Sequence, residues 1–213
     1  MNKKTIVSWL VFFGVLASAE ESIKSPEYVS GDAWTFKMIE WGRDEWKDRI
    51  VTTGRSNENS FEIQTERTWA KKEGNETKQL FIRLETIDFF DLDRQMLQGS
   101  RANIRFPIYL GQRWDWSYAV MSRRPGAGEI KLDYRAKVDR WEDVEVPAGK
   151  FKAIRIVHDG RYLMNEGSST VQEIFWYSPE VKHFVKWTHQ SRTFSGRMND
   201  NVTIELTDYR IRP

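Results

Sequence analysis

Cysteine is absent from the 213 residues. That excludes disulfides, so the fold must rest on its core alone. It also excludes a thiol nucleophile and the lipid that some exported proteins carry on a cysteine at the cleavage site. Histidine is scarce as well, with only His158, His183 and His189. Six positions apart on a strand, His183 and His189 would share a face but sit about 20 Å apart, too far for a common metal. No His-Glu-x-x-His, no Gly-x-Ser-x-Gly elbow and no phosphate-cradling glycine loop occurs. Acidic pairs such as Glu142-Asp143 or Asp91 with Asp93 are unavoidable among 31 acidic residues and read as solvated loop or edge positions rather than glycosidase carboxylates. These absences point away from an enzyme, a metal site or a cofactor.

An excess of either charge is also missing. Lys and Arg number 33 against 31 Asp and Glu, and Lys3 and Lys4 account for the difference. A chain so balanced does not read as a nucleic-acid binder, which would show a basic face or tail. It gives no reason to expect strong attraction to anionic lipid either.

Long apolar runs are lacking with one exception, at the start. Lys3 and Lys4 precede Ile6 to Leu16, apolar apart from Ser8 and Gly14, and Ala17-Ser18-Ala19 follows with Glu20 and Glu21. Positive, apolar, small-x-small is the order of a cleavable signal peptide. A run of about 11 residues is too short to span a bilayer, which needs about 20. The expectation is therefore a signal peptide over residues 1–19 and one domain over 20–213, exported to the periplasm or secreted. With no second apolar stretch, no membrane span is expected in the mature chain.

Helical patterning is scarce too. Only residues 91–101 show it, with Leu92, Met96 and Leu97 before Gly99. Period two dominates instead. Leu132, Tyr134, Ala136 and Val138 alternate with Lys131, Asp133, Arg135 and Lys137, and Phe61, Leu80 and Val202 open similar runs. Such alternation predicts strands with one buried face. Turn residues cluster at 72–75, 124–128, 147–149 and 165–168, as in an antiparallel meander. Long runs should twist and curl. The predicted fold is all-β: a strongly curved antiparallel sheet or partly closed barrel built as a long-stranded meander. Two stretches, 26–36 and 107–116, both read Pro-x-Tyr-apolar followed by Gly-x-x-Trp-x-aromatic. They suggest two related half-sheets, or simply a common way to start a strand, which is the preferred reading.

Three motifs in the second half form a series: Gly111-Gln112-Arg113-Trp114, then Val146-Pro147-Ala148-Gly149-Lys150-Phe151, then Trp176-Tyr177-Ser178-Pro179-Glu180-Val181 running on to Val185-Lys186. Over residues 104–190 the chain resembles a broad group of exported bacterial β-proteins of unknown function that carry these motifs. The resemblance implies fold and export, with a curved sheet like that of periplasmic lipoprotein carriers, and brings no catalytic residues. One departure is Lys182-His183-Phe184, where the group often has a Gly-Leu turn. In physical terms Pro147 and Gly149 fix a turn, and Pro179 should end a strand.

Tryptophan is the abundant feature, ten residues of which only Trp9 precedes the predicted cleavage site. Most should fill a core that lacks disulfides. Others could line a concave site for acyl chains or sugars. Trp41 and Trp46 sit among charges of both signs, and Trp114 and Trp116 share a strand face that Trp176 and Trp187 could extend. These six are the candidate ligand-binding residues. The leading expectation is a non-catalytic envelope protein that binds a lipid or other amphipathic small molecule in the concavity of its sheet. The alternatives are a carbohydrate- or cell-wall-binding module using exposed tryptophan faces, and an assembly protein pairing through sheet edges.

Overall fold

The computed structural model describes residues 22–40, 45–57, 60–70, 81–88, 104–121, 129–164 and 167–212. The predicted signal segment at 1–19, the helical pattern at 91–101 and the predicted turns at 72–75 and 124–128 lie outside the described residues.

Ten strands follow one another: β1 (Ala33–Glu40), β2 (Glu45–Asn57), β3 (Ser60–Ala70), β4 (Phe81–Asp88), β5 (Arg113–Met121), β6 (Glu129–Val146), β7 (Gly149–Met164), β8 (Gly167–Ser178), β9 (His183–Thr193) and β10 (Met198–Arg210). They form one sheet in the order β4-β3-β2-β1-β10-β9-β8-β7-β6-β5. Every pairing is antiparallel. The predicted meander is present, but it starts in the middle: the first strand pairs with the last.

The period-two runs become strands for the expected reason. In β6, Leu132, Tyr134, Ala136 and Val138 are buried, while Lys131, Asp133 and Arg135 are exposed. The alternation then breaks at Asp139, which is left unpaired between Val138↔Ile156 and Arg140↔Arg155. An extra residue of this kind bends the strand and sharpens its twist. Lys137, Arg140 and Arg155 all gather on the Asp139 carboxylate. Hydrogen bonding from Lys137, then Arg155, holds that carboxyl below its usual range.

Two backbone contacts report the curl. The amide of Ala148, in the β6–β7 turn, donates to Leu206 of β10 at 3.0 Å, although three strands lie between β6 and β10. Ile23 and Ile108 exchange both backbone hydrogen bonds, at 2.7 and 2.8 Å. Ile23 leads towards β1 and Ile108 towards β5, at opposite ends of a seven-strand stretch of the sheet. That stretch therefore curls until its two margins touch.

The core lies in two clusters. Ile108, Trp114, Trp116, Tyr134, Ile156 and Phe175 belong to the first, and Tyr28, Trp34, Phe36, Phe151, Val185 and Leu206 to the second. Phe184 packs against both. Ala153 and Ile154 are neighbours on β7, so they point to opposite faces, yet both are fully buried. The sheet is covered on both sides at that level. Pro179 ends β8 as expected and starts a 3-10 turn, Pro179–Val181, capped by Lys182 at φ 57°. Lys182 thus takes the left-handed position that a glycine would fill more cheaply.

The repeat also has a structural form. Asp32 N bonds Val29 O, and Gln112 N bonds Tyr109 O, closing two four-residue turns. Gly31 (φ 93°) and Gly111 (φ 80°) occupy the third position of each, where a type II turn demands positive φ. The Asp32 and Gln112 side chains then reach back to accept from the backbone N–H three residues earlier. Both side chains are buried. The two copies are one device used twice to launch β1 and β5.

Candidate functional site

The structure separates the six candidate tryptophans. Trp41 lies outside the described residues. Trp46 sits in β2, opposite Met38 of β1 and Trp69 of β3. Trp114 and Trp116 share a face as expected, but each is only 4 % exposed. Trp116 stacks on Tyr134 at 4.4 Å, and Trp114 meets His158 edge-on at 5.7 Å. Their faces are spent on protein, so they form core and not a wall open to ligand. The pairing of Phe175 with Trp187 and of Trp176 with Lys186 sends the last two tryptophans to opposite faces. Trp187 joins the first core cluster beside Phe175. Trp176 is half-buried on the other face, its Nε1 donating to Glu142 and its ring 5.9 Å from the Lys186 ammonium. The expected four-tryptophan wall is not formed.

A different feature is concave. A hollow of about 1010 Å³ opens on strands β5 to β9. Ten of its fourteen lining residues alternate with the buried core residues and so project from the opposite face of the sheet; Trp116, Tyr134, Gly160 and Val171, at core-side positions, also border it. Cross-strand pairing places Asp115, Arg135, Asp159, Gln172 and Gln190 in one row from β5 to β9. The neighbouring row runs Ser117, Asp133, Arg161, Thr170 and Arg192. All ten are exposed. Gln172 Nε2 donates to Asp159 Oδ1 at 2.9 Å. Among the described residues no ion pair within 4 Å joins the three aspartates to the three arginines, although their strand positions alternate in charge. These side chains keep much of their hydrogen-bonding capacity: guanidinium forks, carboxylates and amides that can each make two parallel hydrogen bonds.

Behind the hollow, on the core side, lies a polar island. His189 Nδ1 is 3.0 Å from Glu173 Oε1, which also accepts from Tyr134 OH at 3.4 Å. His189 Nε2 faces Tyr162 OH at 3.5 Å and Asp200 Oδ2 at 3.8 Å. The group ties β6 to β10. His183 is elsewhere. The bulge at Val185, between Tyr177↔Phe184 and Trp176↔Lys186, breaks the alternation that would align it with His189. Part of the residue reaches solvent, but its imidazole is enclosed by Trp34, Phe36 and Phe184. That burial lowers its pKa to about 4, against a small upward effect from the Phe184 carbonyl. Burial likewise raises the Tyr28 and Tyr177 hydroxyls above their ordinary range.

Sequence reasoning missed the hollow. The charged positions of β6 were visible as the polar half of an alternation, but a single strand does not say which residues of four others will stand beside them.

The chain matches no family model and no curated protein sequence. It does match solved structures. The fold is that of a candidate lipoprotein from Parabacteroides distasonis. The two superpose with a TM-score of 0.51 over 88 % of this chain and 97 % of the other, at 10 % identity. A candidate exported protein with a YmcC-like fold from Bacteroides fragilis gives a TM-score of 0.48 over 90 % and 100 % of the two chains, also at 10 % identity. At such identity the likeness is one of fold.

Proposed function

We propose that this is an exported, non-catalytic binding protein of the cell envelope, and that the polar hollow on β5–β9 holds a hydrophilic, hydroxyl- and amide-rich ligand of the cell-wall carbohydrate class. The observation that carries this reading is the contrast between the faces: the rings of Trp114 and Trp116 pack in the core, while ten of the fourteen residues lining the hollow of about 1010 Å³ are exposed charged, amide or hydroxyl side chains. An acyl chain gains little from such a lining, whereas planar polar groups suit vicinal hydroxyls and amides. The N-terminal signal pattern supports export. So does the description of the Parabacteroides protein with this fold as a candidate lipoprotein, although this chain, lacking cysteine, would be released rather than anchored by that route.

The test is binding of residues 20–213 to purified wall polymers, beside neutral and anionic lipid vesicles. Gln172→Ala with Gln190→Ala should weaken polymer binding by about 5-fold for each hydrogen bond lost. Both side chains are exposed, so the fold should survive. Retention on vesicles with none on wall polymers would reinstate the amphipathic ligand and overturn this reading.

A further inference from the structure

We infer that the ligand of the hollow is zwitterionic, a glycopeptide fragment carrying both a carboxylate and an ammonium group, and that the hollow reads the two ends separately. The inference rests on the hollow being the binding site and adds what the site selects. Its lining is neutral in total but unevenly divided. Arg161 and Arg192 stand on either side of Thr170, each directly opposite it across one strand pairing. That places two guanidinium groups and a hydroxyl around one point above β8, a geometry suited to a carboxylate. At the other end, Asp115 and Asp133 flank the β5–β6 pairing from adjacent rows. Arg135 stands there directly between Asp115 and Asp159, and in the neighbouring row Arg161 stands directly between Asp133 and Thr170. Asp159 is already engaged by Gln172. In the hollow, strands β5 and β6 thus carry two carboxylates to one guanidinium, suited to an ammonium group, and β7 to β9 carry two guanidinium groups to one carboxylate. The centres of the two ends are two to three strands apart, about 12 Å at the usual strand spacing.

A cross-strand charge pattern can also serve only to keep a sheet face solvated, and the two roles separate by experiment. The probe is a synthetic disaccharide bearing a short peptide with one free amine and a free C-terminal carboxylate, made also as the C-terminal amide and as the N-acetyl derivative. Affinities for residues 20–213 are measured by calorimetry at 0.15 M salt. Amidation and acetylation should each weaken binding by about 5-fold, the scale of an exposed ion pair. The Arg161→Gln/Arg192→Gln variant should lose sensitivity to amidation and keep sensitivity to acetylation; Asp115→Asn/Asp133→Asn should do the reverse. Equal binding of all three probes would overturn the zwitterion inference and leave the carbohydrate reading standing. Failure of all three probes and of the wall polymers would overturn both.

Discussion

Gly160 is where one missing methyl group decides how the sheet packs. A Cβ there would lie 2.5 Å from Tyr134 Cδ1 and 2.7 Å from the Asp133 carbonyl oxygen. The Tyr134 ring lies over this glycine and carries Trp116 stacked at 8° on its other face. Gly160→Ala should therefore cost about 1–3 kcal/mol, the range of overpacked cores. Urea unfolding reads the loss, and Tyr134→Leu in the same chain should recover part of it. His183 gives a pH signature. Its folded pKa of about 4 stands below the ordinary 6.5. Between these values the unfolded chain binds a proton that the folded chain refuses, so this contribution is intact above about pH 6.5 and lost as pH falls towards 4, by a few kcal/mol. His183→Phe should flatten that part of the stability curve relative to wild type, whatever it does to stability at pH 7. An equal slope in both proteins would show that His183 does not titrate this way.

The strands were legible one at a time. The alternation of Leu132 to Val138, the turn at Pro147-Ala148-Gly149 and the stop at Pro179 all appear where the residues indicate. What escaped was anything that depends on pairing. Bulges at Asp139 and Val185 shift register without a compositional mark, and the second breaks the alternation that would put His183 on the face of Trp187 and His189. A tryptophan in an alternating run says that it faces one side; only the partner strands decide whether that side is closed. The polar lining of the hollow is assembled from five strands and has no motif in any of them. The twin turns were visible as a repeat, and their geometry makes a matched prediction. Gly31→Ala and Gly111→Ala should each cost about 1 kcal/mol, because both need positive φ. The added methyl at Gly111 meets no atom within 4 Å, and the nearest atoms to that at Gly31 belong to the guanidinium end of Arg212, at 2.8 Å. Thermal unfolding of the two variants should give similar losses; a much larger one at Gly31 would mean that Arg212 cannot move.

On the scale of the molecule, curvature and chain order were foreseeable to different degrees. Long antiparallel strands had to coil, and they do, bringing Ile23 to Ile108 and the Ala148 turn to Leu206. That the sheet would be seamed between its first and last strands was not written in any local pattern. The seam is specific: Trp34 pairs with Tyr209, Phe36 with Leu206, and Asp32 receives the amide of Arg212 at 2.7 Å. The seam also governs the timetable of assembly. Strands β1 to β4 are made first and pair with one another, but β1 gains its second partner only when β10 has been synthesised, some 165 residues later. A chain crossing a membrane N-terminus first would present β1 as an open edge for most of its passage, with Trp34 and Phe36 uncovered. An edge held open that long calls for rapid closure once β10 arrives, a demand that final stability does not record.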